Sequence, residues 1–109
     1  MAGIGVYGIA SSTSGNNIGV RGITESSTGS AIYGTALSFG GVNYGVRGIS
    51  QSSTGVGVLG ATTSTTGTNY GVRGYSASSD GYDFYAVGAG VNYGAPSSSR
   101  WKTDIVTMS

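Results

Sequence analysis

The side chains able to do chemistry are few and regularly spaced. Five basic and four acidic residues carry all the side-chain charge in 109 residues, for a net charge of +1. Three of the bases, Arg21, Arg47 and Arg73, recur at intervals of 26 residues inside Gly-Val-Arg-Gly at 19–22, 45–48 and 71–74. Such a row of cations either meets an anionic ligand, an acidic polysaccharide for example, or lays its stems along apolar neighbours with the heads in water. The second use is the commoner one. The acids inside the repeat are Glu25, Asp80 and Asp83. A glycosidase needs two carboxylates held roughly 5–10 Å apart. Asp80 and Asp83 share the loop 78–83, but Asp80-Gly81 reads better as turn chemistry. Two carboxylates are also too few for a calcium site. Histidine and cysteine are absent. That excludes a Ser-His pair, a cysteine nucleophile, a thiolate zinc site and disulfides within the chain. The Gly-x-x-Gly spacings lack the Gly-Lys-Ser/Thr of a phosphate cradle. The expectation is a protein that is not an enzyme and has no cofactor and no metal.

The elements that position these residues follow the same 26-residue period. Tyr7-Gly8, Tyr33-Gly34 and Leu59-Gly60 form a second series, which Tyr85 continues. Glycines 8, 22, 34, 48, 60, 74 and 88 step by 14, 12, 14, 12, 14 and 14 residues, so half-repeats of 12–14 residues alternate in two versions. Each half-repeat has a β-prone piece, such as 44–49, and a turn-forming piece, such as Ser50 to Gly55. Strand alternation puts Tyr44 and Val46 on one face and Arg47 and Ile49 on the other. The simplest placement has Val20, Val46 and Val72 inside and the three arginines outside. Tyr44 and Tyr70 are repeat-phased and offer flat platforms to a sugar, although packing is the commoner role of such rings. Glycine density rules out helices before residue 95. Only the stretch 101–108 has the composition to start one.

Bulk composition alone points toward disorder. Gly, Ser and Thr supply 52 residues, while Leu, Ile, Val and Phe supply 21. That apolar share is near the level at which burial fails to offset ordering entropy. Eight tyrosines and a single proline argue the other way. A 12–14-residue unit cannot cover its own apolar side, so neighbours must do it. One chain offers a thin row, and three chains pool three rows into one core while pairing exposed strand edges. The expected fold is therefore all-β, a repetitive homotrimeric β-helix or β-prism. A single-chain β-solenoid is the alternative. The stalk spans 1–95 and a junction spans 96–109. No apolar run reaches the roughly 18 residues of a membrane span. The near-neutral charge argues against nucleic-acid partners.

The units of the form Asn-Tyr-Gly-Val-x-Gly, followed by Ser/Thr/Gly runs, resemble the stalks of phage tail-fibre proteins. Residues 97–105, Ser-Ser-Ser-Arg-Trp-Lys-Thr-Asp-Ile, are similar to the opening of the intramolecular chaperone domain that follows many such fibres. The resemblance implies a fibre stalk, on a virion tail or at a cell surface, with host surface polysaccharide as a partner. It also implies a latent self-cleavage junction, with Ser97 as the cleavage serine and Lys102 as its lysine partner. Arg100 and Ile105 match flanking positions, whereas the family's aspartate after the serine is Ser98 here. A lysine can activate a serine without histidine when burial lowers its pKa. The 13 residues from Ser97 onward are far fewer than that domain needs, so no self-cleavage is expected of this chain. The head repeats of trimeric autotransporter adhesins are loosely similar too. They give the alternative reading, a carbohydrate-binding surface adhesin or an extracellular nanofibre.

Overall fold

The structure is a computed structural model, and it describes residues 2–94. The chain divides into two units, Met1–Val58 and Leu59–Ser109. Each unit is a succession of short extended pieces joined by corners, with nearly all contacts local in sequence. In the first unit the backbone of Gly8 returns against Gly19, Gly22 against Ala31, Gly34 against Gly45, and Gly48 against Gly57. In the second, Gly60 returns against Gly71 and Gly74 against Asp83. Loops spanning 11 and 9 residues therefore alternate, which is the physical content of the two half-repeat versions.

The expected all-β fold is not what forms. Among the described residues there is no strand and no helix, so the chain is neither a β-helix nor a β-prism nor a β-solenoid. The reason lies in the spacing of the glycines. Only four residues, such as 19–22 or 45–48, separate one close approach from the next. A natural strand has about five or six. The pieces pass one another at glycines without building a ladder. The backbone hydrogen bonds that do form close turns, Gly55 N to Ser52 O at 3.2 Å and Gly81 N to Ser78 O at 3.1 Å.

The corners are of two kinds, and both repeat every 26 residues. In the first kind a serine hydroxyl donates two residues ahead: Ser12 to Ser14 O (3.1 Å), Ser38 to Gly40 O (3.1 Å), Ser64 to Thr66 O (3.0 Å). A glycine then turns the chain with positive φ, 82° at Gly15, 79° at Gly41 and 83° at Gly67. That region costs a side chain about 1–2 kcal/mol, which glycine escapes. An asparagine amide closes the corner, Asn17 on Ser12 O at 3.1 Å, Asn43 on Ser38 O at 3.1 Å, and Asn69 on Thr66 O at 3.3 Å. In the second kind no positive-φ glycine or asparagine takes part, and the serine hydroxyl accepts from the amide two residues on, as it also does in the first kind. Thr28 N reaches Ser26 at 3.3 Å, Thr54 N reaches Ser52 at 3.2 Å, and Asp80 N reaches Ser78 at 3.2 Å. These are the side-chain turns that Ser and Asn favour for their short reach.

No described residue is buried. The expected interior placement of Val20, Val46 and Val72 is therefore corrected: they are 63%, 74% and 60% exposed. With no ladder there is no second layer to cover them. The apolar row exists, but one chain leaves it open.

Candidate functional site

Arg21, Arg47 and Arg73 are each exposed, at equivalent places in successive repeats. The Arg47 guanidinium lies over the Tyr44 ring, 5.4 Å from its centre. Alternation alone placed these two on opposite faces. A bend at Gly45 breaks the alternation and brings them together. The contact is a cation–π pair on an exposed surface, of order 0.5–1 kcal/mol. It occupies one face of the ring that was a candidate sugar platform. Tyr70 is exposed, and Tyr82 stacks on Tyr85 with centroids 5.1 Å apart and planes at 20°.

The acids go to turns. Asp80 lies in the second kind of corner, where its amide meets Ser78 and Gly81 completes the turn. Asp83 accepts from the Ser76 amide at 2.7 Å, bridging the mouth of the same loop. That bond uses the carboxylate to hold backbone. No group of three or more potential metal ligands occurs among the described residues. No helix there is long and apolar enough to cross a membrane. Ser97 and Lys102, the pair for a self-cleavage junction, lie outside the described residues, as does the stretch 101–108.

No known family, curated protein or solved structure matches the chain.

What the geometry does bring together is glycine and valine. A Cβ on Gly34 would stand 2.8 Å from Val46 Cγ2, and one on Gly48 would stand 2.6 Å from Val58 Cγ2. Gly22 is covered likewise by Ile32 Cγ1 at 2.6 Å, and Gly8 by Val20. In the second unit Gly60 is covered by Val72 at 2.5 Å and Gly74 by Phe84 at 2.9 Å. Side chains beyond hydrogen do not fit at these glycines. Gly88, counted in the sequence series, is different: a Cβ there would meet nothing closer than Asn92 Oδ1 at 3.9 Å. The position that continues the 14- and 12-residue steps is Ala86, not Gly88.

Sequence reading missed the positive-φ glycines Gly15, Gly41 and Gly67 and the clamp Asn17. Their 26-residue spacing was a usable signal. It was masked because glycine is so abundant that many series can be drawn through it.

Proposed function

We propose that this chain is a structural segment of a phage or phage-like tail fibre, a stalk built of three copies that serves host attachment. One observation carries the reading: none of the apolar side chains among the described residues is buried. Its accessible surface is 10840 Å² at a mass of 10.8 kDa. A compact monomer of that mass would expose about 5,500 Å². The surplus of about 5,000 Å² matches the upper range of obligate interfaces, roughly 2,000–5,000 Å². A chain that repeats one unit, lacks a core of its own and clusters no catalytic groups among its described residues suits a role in assembly. The Asn-Tyr-Gly-Val-Arg-Gly units supply the link to tail fibres, and the pooling of three thin rows supplies the copy number.

Native mass spectrometry of the purified chain tests this. A species of three chains is expected, and a single compact chain overturns it. A second reading, a glycan-binding adhesin, is favoured by the exposed arginines and tyrosines. It requires binding on a glycan array that is lost in Arg47→Ala.

A further inference from the structure

The surface through which the copies meet can be assigned to one face. Extended backbone sends alternate side chains to opposite sides. Val46 and Gly48 therefore share a side, and Arg47 takes the other. The same holds for Val20, Arg21 and Gly22; the chain bends at Ile32, which is placed on this side by its cover over Gly22. The close approaches then link one piece to the next on the same side, since Val20 covers Gly8, Ile32 covers Gly22, Val46 covers Gly34 and Val58 covers Gly48. Within the first unit this makes one continuous face of Val20, Ile32, Val46 and Val58, with glycines filling the spaces between. The opposite face carries Arg21 and Arg47. In the second unit Val72 covers Gly60 and Phe84 covers Gly74 in the same way.

The two faces differ in what it costs to cover them. The valine face of the first unit is aliphatic, and its residues are 63–74% exposed, so covering it removes apolar surface from water at about 25 cal/mol per Å². Covering the other face would bring like-charged arginines of several copies together in a dry interface, and unpaired buried charge is strongly unfavourable. Arg47 already rests on a ring of its own chain.

We propose that the Val20–Ile32–Val46–Val58 face is the surface by which copies of this chain associate, with Arg21 and Arg47 outward. The occupant is another copy of this chain, and the area deficit described above is the reason. The inference rests on the stalk reading.

Neighbouring residues on opposite faces give the test. In sedimentation velocity, Val46→Asp is expected to shift the protein to a single chain, and Arg47→Asp to leave the assembly in place. Because the chain has no cysteine, single cysteines report on the assembled protein without disrupting it. Val46→Cys should cross-link copies on oxidation about tenfold faster than Arg47→Cys, since a disulfide needs Cβ atoms about 4 Å apart. If Arg47→Asp dissociates the assembly and Val46→Asp does not, or if position 47 cross-links as fast as 46, the face is wrongly assigned while self-association stands. A wild-type chain that sediments alone overturns both.

Discussion

Asp83 shows at the scale of one residue how this chain spends its few charges. Its carboxylate accepts from the Ser76 amide at 2.7 Å across seven residues of sequence. Gly74 and Ser76, which bracket the start of this loop, are the only half-buried positions among the described residues. A charge-assisted bond of this kind protects the amide that donates it. Asp83→Ala should therefore speed hydrogen exchange at the Ser76 amide by about five- to tenfold, the counterpart of a hydrogen bond worth about 1 kcal/mol. Asp83→Asn keeps an acceptor oxygen and should exchange closer to wild type. Unchanged exchange at the Ser76 amide in Asp83→Ala would show that the carboxylate does not hold the loop. The sequence made the Asp80-Gly81 turn legible, because an Asp-Gly pair carries its turn preference locally. The Asp83–Ser76 bond was not legible, since it depends on how the two ends of the loop meet.

The element of this molecule is the corner. Two kinds alternate: a serine hydroxyl accepts from an amide in both, and only the first adds an asparagine clamp and a positive-φ glycine. Gly40 and Gly41 separate geometry from crowding, because an added Cβ would meet nothing within 4 Å at either. Only Gly41 has positive φ. Gly41→Ala should then cost the assembled protein about 1–2 kcal/mol, read from its denaturant midpoint. Gly40→Ala should stay within about 0.5 kcal/mol of wild type, as at an open surface position. A loss at Gly40 equal to that at Gly41 would contradict the corner described here. The period of these corners was plain from Gly-Val-Arg-Gly, and so were the two alternating versions. The strands expected between them were not real. β-propensity at Val46 and Ile49 describes how residues suit a pleated surface, and it does not supply a neighbour for the ladder. With glycines closing each piece after four residues, the ladder never starts.

At the scale of the whole molecule, the shortage of apolar residues that composition revealed becomes a statement about concentration. A chain with no buried residue among those described has little to hold it once alone, because ordering each residue costs roughly 1–2 kcal/mol. The local bonds of the corners sit in water, where each contributes only about 0.5–1.5 kcal/mol net. If copies cover the valine face as proposed, stability follows mass action. The thermal midpoint should rise steadily with protein concentration, and the transition should be one event in which dissociation and loss of structure coincide. The check is circular dichroism melting at a series of dilutions, with sedimentation at the same concentrations to show the copies separating. Three copies predict a steeper dependence than two, since a third chain adds another factor of concentration to the equilibrium. A cooperative melt whose midpoint stays fixed over about a hundredfold dilution would mean that a single chain holds itself together. In that case the exposed valines would need another explanation, because nothing in one chain covers them.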